Sequence, residues 1–313
     1  MKKLSVVVPV YQNAENLMQS VPHYINFLKT LPYRSELICV DDGSTDSSYK
    51  ILSQLKKTYP ENLKVIKLVR NFGQAAAIYA GMSASDADII GVISADMQDP
   101  IELFGEMTKE WESGYKTVIA ARADRHDKGL IVYFSKFYNW LLGKMISPKY
   151  PKGGFDFFLI DKEVAGHLLE VSERDSMIQV LLLWLGYEFK KIDYIRKERV
   201  GGKSQWSFWK RFKLVIDTVT TNSHLPLKSI SLIGLSFSAM AFLYAAYAIC
   251  SALYVIAQGE TIQVQGWTSI VVLIAFFSGL ILLSLGIIGE YIWRIFKYVQ
   301  RRPIYLVDDK NKN

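Results

Sequence analysis

The chain has 313 residues, of which 50% are hydrophobic and 21% are charged, and its formal net charge is +7. This composition excludes a disordered or collagen-like chain, and the length predicts two domains, or one domain with an appendage. The two cysteines, Cys39 and Cys250, exclude a disulfide scaffold and a cysteine-rich zinc site. Four scattered histidines argue against a metal centre built from histidine.

The first 200 residues alternate short β-branched runs with amphipathic stretches. Strands are predicted at residues 4–10, 36–41, 64–69, 89–94, 117–121 and 155–160, and helices near 14–30, 44–58, 74–85 and 100–113. This alternation predicts an α/β domain with a mainly parallel sheet over residues 1–200. Ligands of such sheets bind at the carboxyl ends of the strands, so the polar residues that follow the apolar runs are the candidate site.

Two aromatic amphipathic stretches, Leu130–Ile146 and Trp206–Val219, stand apart from this alternation. Each is predicted to be either a helix packed on the sheet or an interfacial helix that lies on a membrane surface. The second stretch mixes tryptophan with basic residues and lies in a predicted juxtamembrane segment, 201–228, which favours the interfacial interpretation.

Two long uncharged stretches follow, Ile230–Ala257 and Gly266–Gly289. Each is longer than the roughly 20 apolar residues that cross a hydrocarbon core, so residues 229–293 are predicted to form two transmembrane helices at about 230–257 and 266–290. Basic residues flank the pair, whereas the connecting loop 258–265 has none. The positive-inside rule therefore predicts that the α/β domain and the tail, 294–313, both lie in the cytoplasm. The polar end of the tail, from Asp308, is expected to fray.

The first polar cluster is the run Asp41-Asp42-Gly43-Ser44-Thr45-Asp46 at the end of a predicted strand. Two adjacent carboxylates at a strand end can accept hydrogen bonds from a base N–H or from ribose hydroxyls. The run also fits ordinary turn chemistry, in which Asp42 forms an Asx-turn, Gly43 turns the chain and Ser44 caps the next helix. Taken alone, it leaves both interpretations open.

The second polar cluster is Ser94-Ala95-Asp96-Met97-Gln98-Asp99-Pro100. Asp96 and Gln98 carry oxygen ligands two residues apart, so they point the same way in extended backbone. That arrangement suits Mg²⁺ or Mn²⁺ on a diphosphate, which supplies further ligands itself. The alternative is that Asp99 and Pro100 begin a helix and Asp96 is a solvated loop residue.

A charged stretch begins at Arg122 and includes Arg125. Guanidinium groups bind phosphate through two parallel hydrogen bonds, so the two arginines are candidates for binding a phosphate group. The stretch also alternates with aspartates, which is typical of a solvated loop.

Together these motifs resemble glycosyltransferase family 2. The whole chain is similar to the polyprenyl-phosphate glycosyltransferases, the branch that includes dolichol-phosphate mannose synthase-like and bactoprenol glucosyltransferase-like enzymes. The resemblance implies a GT-A, Rossmann-like nucleotide-sugar transferase domain with interfacial amphipathic helices and a C-terminal transmembrane hairpin. The motifs that carry it are Val8-Pro9-Val10-Tyr11, the run at 41–46, Arg70-Asn71-Phe72-Gly73, the run at 94–100, Arg122, Phe137-Tyr138, Asp156, Gly202-Lys203-Ser204 and Leu225-Pro226-Leu227.

The resemblance implies a role for each matching position. The donor nucleotide would be bound by Pro9, Tyr11, Glu15, Asp41, Asp42, Asn71 and Asp96. The metal ion, Mg²⁺ or Mn²⁺, would be held by Asp96 and Gln98. The acceptor phosphate would be bound by Arg122, Arg125, Ser135, Arg199 and Lys203. Asp156 would be catalytic together with Arg122 and Arg125.

Two features qualify these roles. Ser94 stands where the family usually has an aspartate, so Asp96 is the one carboxylate of that triplet. Asp156 matches the position often proposed as the catalytic base, but a phosphate monoester, with a second pKa of about 6, is largely ionised at neutral pH and needs little help from a base. Asp156 therefore also fits a role in orienting a sugar hydroxyl or an arginine.

The implied activity is inverting transfer of a hexose or N-acetylhexosamine from a nucleotide sugar to a polyprenyl phosphate for cell-envelope glycosylation. A UDP-linked donor is favoured over a GDP-linked one, with undecaprenyl phosphate as the carrier. One alternative is a membrane-bound family 2 transferase that acts on a glycerolipid or a polysaccharide. A second alternative is a membrane protein that binds nucleotide sugars without turnover.

The expected location is the inner (plasma) membrane, with several membrane passes and both termini in the cytoplasm. The expected partners are the two substrates, membrane lipids and a downstream flippase, and no feature predicts a nucleic-acid partner. Small residues recur in both spans and permit close helix contact, and the resemblance implies a homotetramer.

Overall fold

The structure is a computed structural model that describes residues 1–122, 151, 154–173, 177–195, 225–258 and 266–308. It separates into two compact units. The first comprises Met1–Val215 with Pro303–Asn313, and the second comprises Ile216–Arg302.

The first unit contains a seven-stranded sheet. Its strands are β1 (Lys3–Val10), β2 (Arg34–Asp41), β3 (Leu63–Lys67), β4 (Ile89–Val92), β5 (Thr117–Arg122), β6 (Phe157–Asp161) and β7 (Phe189–Tyr194). They lie in the order β3-β2-β1-β4-β6-β5-β7. β6 runs antiparallel to both of its neighbours, and the other pairs are parallel. The sheet is therefore mixed, with one reversed strand.

Helices cover both faces of this sheet. They are α1 (Ala14–Leu28), α2 (Ser48–Thr58), α3 (Gln74–Ser83), α4 (Leu103–Glu112), α5 (Lys162–Glu170) and α6 (Ile178–Trp184). One core cluster contains buried residues of α1, α2 and α4, and the other contains buried residues of α3, α5 and α6. The two clusters lie on opposite faces of the sheet, as β1 shows. Val6 and Val8 belong to the first cluster and Val7 to the second, because successive side chains of a strand point to opposite faces.

The predicted α/β architecture is confirmed. All six predicted strands and all four predicted helices are present within a few residues of the expected ends. β7, α5 and α6 are not predicted from the sequence. β7 shows a weak signal, because the buried residues Ile192 and Tyr194 alternate with exposed Lys191 and Asp193.

The segment after residue 302 returns to the sheet beside β3. Val69 N–H donates to the Leu306 carbonyl at 3.0 Å, and Asp308 N–H donates to the Lys67 carbonyl at 2.8 Å. Ile304, Tyr305 and Val307 pack against the second core cluster. The expectation of a tail frayed from Asp308 is therefore wrong at Asp308 itself, because an unpaired edge strand can accept a further segment.

The second unit contains two long helices, α7 (Leu225–Ala257) and α8 (Trp267–Val299), of 33 residues each. The Phe237 ring of α7 contacts Phe276 and Phe277 of α8, with centroids 5.2 and 6.1 Å apart. Within the described residues, Phe276–Val299 is the one stretch that is long and apolar enough to cross a membrane, with a mean hydropathy of 1.7. A transmembrane hairpin therefore stays a prediction.

Candidate active site

The predicted site residues gather at one edge of the sheet. β1, β2, β4, β5 and β7 share one direction, so their carboxyl ends meet there. β6 is reversed, and its first residue lies at the same edge. The edge therefore brings together residues at or just beyond six strand ends: Tyr11, Asp41, Asp96, Arg122, Asp156 and Tyr194. Open α/β sheets bind ligands at such an edge.

Asp42 fixes the loop that follows β3. Its Oδ1 accepts from Phe72 N–H at 2.7 Å and its Oδ2 accepts from Gly73 N–H at 2.8 Å. The side chain is not part of a local Asx-turn, because its partners lie 30 and 31 residues away. Gly43 packs against the same loop with φ +65°, and a Cβ there would lie 2.4 Å from the Arg70 carbonyl carbon. Asp42 and Gly43 thus join residues 41–46 to residues 70–73, and we call these two segments the Asp41 turn.

Asp41 has a different environment. It is fully buried, and its Oδ2 accepts from Ser44 N–H at 3.3 Å. Within the described residues, its Oδ1 is buried without a hydrogen-bond partner. Burial raises the pKa of this carboxyl, against the hydrogen bond from Ser44. A buried acceptor atom with no partner is costly unless a ligand supplies a donor, so Asp41 is better placed than Asp42 to bind a nucleoside.

Four other residues predicted to bind the donor nucleotide lie in or just after β1, in α1 and in the loop after β3. Pro9 is half-buried in β1, whereas Tyr11, Glu15 and Asn71 are exposed. The backbone at Gln12 adopts a positive φ of 47°, and its N–H donates to Ser44 Oγ at 3.0 Å. This contact places the segment after β1 beside residues 41–46.

The loop after β4 holds Asp96 and Gln98. Asp96 Oδ1 accepts from Ser94 Oγ at 2.6 Å and from Gln98 N–H at 3.3 Å. Met97, between them, has a left-handed φ of 58°, a conformation that is uncommon outside glycine and clusters at functional sites. Tyr24 of α1 donates to the Ser94 carbonyl at 2.9 Å. The predicted metal-binding residues therefore lie in one tightly bonded loop.

Asp99 does not start α4, which begins at Leu103. It is 2% exposed; its Oδ2 lies 2.8 Å from Ser94 Oγ and its Oδ1 accepts from the Tyr194 hydroxyl. The alternative that Asp99 and Pro100 directly begin a helix is thus wrong, because the helix begins three residues after Pro100 and the Asp99 carboxylate accepts from two side chains.

Arg122 is paired with Asp156. Arg122 Nη2 donates to Asp156 Oδ2 at 2.7 Å, and Gln179 Nε2 donates to Asp156 Oδ1 at 2.9 Å. The side chain of Arg122 is 14% exposed, so it is not a solvated loop residue. Burial alone would lower the pKa of Arg122, but the charge of Asp156 and the contact with Tyr194 raise it above the usual value. The guanidinium is therefore a fixed cation at the sheet edge.

Two hydrogen-bonded groups of side chains meet at this edge, and we call them together the Arg122 network. One joins Asp96, Ser94, Asp99 and Tyr194, and the other joins Arg122, Asp156 and Gln179. Tyr194 and Arg122 are register partners on neighbouring strands. Sequence reasoning missed Tyr194 and Gln179 and gave Asp99 only a helix-start role. Tyr194 had a signal in the alternation of β7, whereas Gln179 lies alone in an apolar helix and had none.

Four predicted acceptor residues, Arg125, Ser135, Arg199 and Lys203, lie outside the described residues. Their roles stay predictions.

Comparisons with known proteins identify the family. The family model for Glycosyl transferase family 2 matches residues 5–168. An uncharacterized glycosyltransferase of Synechocystis is 35% identical over 310 residues, which cover 98% of this chain and 95% of that protein. A prophage-derived bactoprenol glucosyl transferase of Shigella flexneri is 32% identical over 315 residues, with 99% of each chain covered.

A solved structure supports the GT-A-like fold. Glucosyl-3-phosphoglycerate synthase from Mycobacterium tuberculosis, in complex with Mn²⁺ and UDP-glucose, superposes with a TM-score of 0.52 at 18% identity, over 71% of this chain and 79% of that one. This likeness concerns the fold. Since the sequence comparisons span nearly the full length, the chain belongs to glycosyl transferase family 2 and is a glycosyltransferase that resembles the bactoprenol glucosyl transferases.

Proposed function

We propose that this chain transfers a hexose or N-acetylhexosamine from a UDP-linked sugar to a polyprenyl phosphate, with undecaprenyl phosphate as the carrier. The product would be a lipid-phosphate sugar used in cell-envelope glycosylation. The full-length similarity to bactoprenol glucosyl transferases supports this acceptor. The observation that carries the proposal is the guanidinium of Arg122, which is fixed by Asp156 at the sheet edge that also presents Asp96.

Arg122 has the chemistry that a phosphate acceptor needs. A phosphate monoester is mostly a dianion at neutral pH, since its second pKa is about 6, so it is already a nucleophile. It requires cations that align it with the anomeric carbon and limit its repulsion from the donor diphosphate. The side chain of Arg122 is 14% exposed and bonds Asp156 through Nη2, so its positive charge is held in place at the edge where the acceptor would bind.

The reaction then follows from the charges. An acceptor phosphate oxygen forms a bond to the anomeric carbon while the bond from that carbon to the donor diphosphate breaks. The nucleoside diphosphate leaves with the electron pair. Attack from the face opposite the diphosphate inverts the anomeric centre. Arg125, Ser135, Arg199 and Lys203 would add contacts to the phosphates.

Asp156 fits an orienting role better than a base role. Both of its carboxylate oxygens accept hydrogen bonds, one from Arg122 and one from Gln179. The ionised acceptor phosphate has little need of a general base, whereas these two bonds hold the carboxylate beside the guanidinium. We therefore assign to Asp156 the task of holding the Arg122 guanidinium.

Asp96 and Gln98 would hold the divalent cation, Mg²⁺ or Mn²⁺. Their oxygen atoms suit a hard cation, and the bond from Gln98 N–H to Asp96 Oδ1 keeps the two residues together. Within the described residues, no group of three or more acidic, histidine or cysteine side chains could hold a metal by itself, so the donor phosphates would complete the coordination. When bound, the cation would neutralise charge that develops on the departing diphosphate.

We further propose that α7 and α8 form a transmembrane hairpin in the inner membrane, with both termini in the cytoplasm. Helices of 33 residues are about 50 Å long, which exceeds the roughly 30 Å of a hydrocarbon core. This anchor would keep the catalytic domain at the leaflet where a polyprenyl headgroup lies. Small residues in both helices would permit a homotetramer, and a flippase would act on the product.

The proposal is tested with membranes that contain the protein. They are incubated with labelled UDP-glucose, UDP-N-acetylglucosamine or GDP-mannose, with undecaprenyl phosphate or diacylglycerol, and with Mg²⁺ or Mn²⁺. The lipid extract is then analysed by mass spectrometry. We expect a sugar-phosphate-undecaprenol from a UDP sugar, and its loss in the Asp96→Ala variant.

A matched control is Asp86→Ala, which removes a 79%-exposed carboxylate on the same unit. We expect this variant to keep wild-type activity. Label on diacylglycerol alone, or no transfer with any donor, would contradict the proposal. Wild-type turnover by Asp96→Ala would contradict the assigned cation site.

A further inference from the structure

Two buried polar residues at the sheet edge that holds the candidate site have no part in the proposed mechanism. Asp99 is 2% exposed and Tyr194 is 6% exposed. They lie 95 residues apart in the chain, and the Tyr194 hydroxyl donates to Asp99 Oδ1. A buried carboxylate lowers the stability of the folded state unless several hydrogen-bond donors contact it. The burial of Asp99 therefore suggests a role for this pair.

The pair connects two parts of the site. On one side, Ser94 Oγ lies 2.6 Å from Asp96 Oδ1 and 2.8 Å from Asp99 Oδ2. On the other side, Arg122 and Tyr194 are neighbours on adjacent strands. Tyr194 is the end of β7, and Arg122 is its register partner at the end of β5. The contact is therefore fixed by the sheet and not by a loop.

The hydroxyl of Ser94 couples the two aspartates. A serine hydroxyl has one proton, and an ionised carboxylate can only accept. Because Asp96 and Asp99 both lie within hydrogen-bond distance of this one donor, the position of each carboxylate depends on the other. An aspartate at position 94 would place a third carboxylate between them and, when ionised, would donate a proton to neither.

We propose that Asp99 and Tyr194 are positioning residues that orient Arg122 toward the acceptor phosphate and link it through Ser94 to the Asp96 loop. This inference rests on the proposed function. Tyr194 stands beside Arg122 on the neighbouring strand and donates its proton to Asp99, so the bond to Asp99 fixes the side chain next to which the guanidinium lies. Loss of the hydroxyl leaves the charge of Arg122 in place but frees its orientation.

The test is the Tyr194→Phe variant in the full-length protein. We expect the KM for undecaprenyl phosphate to rise about ten-fold, which corresponds to about 1.4 kcal/mol and to one hydrogen bond with a charged group. The dissociation constant of UDP, measured by calorimetry with Mn²⁺ present, is expected to stay within about two-fold of wild type. A split between acceptor and donor affinity distinguishes positioning from a general loss of structure.

Tyr187→Phe is the matched control. Tyr187 also bonds a carboxylate, Glu163, at 3.0 Å, but it precedes β7 at the opposite edge of the sheet. Its variant is expected to keep both affinities. Asp99→Asn is the second variant, and a smaller rise in the acceptor KM is expected because the amide oxygen still accepts from Tyr194.

The inference is overturned if Tyr194→Phe leaves the acceptor KM within two-fold of wild type, or if UDP affinity falls as much as acceptor affinity. It is also overturned if Tyr194→Phe fails to fold and Asp99→Asn folds with an unchanged acceptor KM. If the wild-type protein transfers no sugar to polyprenyl phosphate, the proposed function itself is overturned. If the wild-type protein is active and only the Tyr194→Phe result differs from expectation, the positioning role alone is overturned.

Discussion

The Asp41 turn and the Arg122 network lie at one sheet edge but are built from different hydrogen bonds. In the Asp41 turn, carboxylates accept from backbone N–H groups of Ser44, Phe72 and Gly73. In the Arg122 network, most contacts join side chains, and the partners lie as far as 95 residues apart. The Asp41 turn therefore fixes the backbone conformation of two loops, whereas the Arg122 network fixes the positions of charged side chains.

The difference bears on what each region tolerates. A backbone N–H stays in place when a side chain changes, so the shape of the Asp41 turn depends on Asp42 and on the glycine at 43. A side-chain network depends on every member, because each group orients the next. We therefore expect substitutions in the turn to affect folding and donor binding, and substitutions in the network to affect catalysis.

The largest effect is expected for Arg122→Ala. Removal of a preorganised cation at a reacting phosphate costs about 100- to 1000-fold, and we expect kcat/KM for undecaprenyl phosphate to fall by that factor. Arg34→Ala is the control, since Arg34 is exposed at the start of β2, at the other edge. Retention of more than a tenth of wild-type kcat/KM by Arg122→Ala would contradict its assigned role.

Substitution of Asp42 is expected to lower the stability of the protein, whereas substitution of Asp41 is expected to weaken donor binding. Asp42→Ala leaves the N–H groups of Phe72 and Gly73 unpaired, which costs about 3 kcal/mol of unfolding free energy. Asp41→Asn keeps an acceptor for Ser44 and removes a buried charge, so its stability is expected to change by less than about 0.5 kcal/mol. Its KM for the UDP sugar is expected to rise about ten-fold because the nucleoside loses a charged acceptor.

Thermal unfolding and donor kinetics on the two variants check this expectation. Equal destabilisation by both variants would show that Asp41 is as structural as Asp42, and the distinction within the turn would be wrong.

Asp156→Asn is expected to keep about a tenth of wild-type kcat. The acceptor is already ionised, so the variant loses orientation of Arg122 and no proton-transfer step. Single-turnover rates at saturating donor concentration measure the transfer step in the variant and in the wild type. A collapse as large as that of Arg122→Ala, with UDP binding intact, would instead favour the base role.

The pH dependence of donor binding reports on Asp41. Burial raises the pKa of Asp41 above the ordinary value of 3.8, so its carboxylate is protonated earlier as the pH falls. By linkage, the stability that this group contributes is present at low pH and is lost as the pH rises through its raised pKa. The donor affinity runs the other way: the KM for the UDP sugar is expected to rise on acidification at pH values above 3.8. Asp41→Asn is expected to flatten this acid limb, and an unchanged limb would assign it to another group.

The smallest effect is expected at the segment beside β3, which adjoins the Asp41 turn. Val307→Ala removes contacts with the core cluster and is expected to cost about 1 kcal/mol of unfolding free energy. Leu306→Ala is the control, because that side chain is 50% exposed. Equal thermal stability of the two variants would show that the segment contributes only its backbone hydrogen bonds.

Much of the fold follows from the sequence because its signals are local. The β-branched runs of β1, β2 and β4 predict strands from the local sequence pattern alone. Parallel pairing of these strands then brings their carboxyl ends together. The residues Asp41, Asp96 and Arg122 could be found in this way, since each follows or ends such a run. The family resemblance added Asp156, which precedes a strand and has no signal of that kind.

Tertiary structure alone decided which of these residues touch. The reversal of β6 brings Asp156 beside Arg122, and the register of β7 against β5 brings Tyr194 to the same guanidinium. Such pairings depend on the packing of distant strands, because strand propensity does not state direction or partner. The sequence by itself therefore determined where polar groups lie along the chain, whereas long-range pairing determined that Asp42 secures a loop and that Asp99 and Tyr194 reach Arg122.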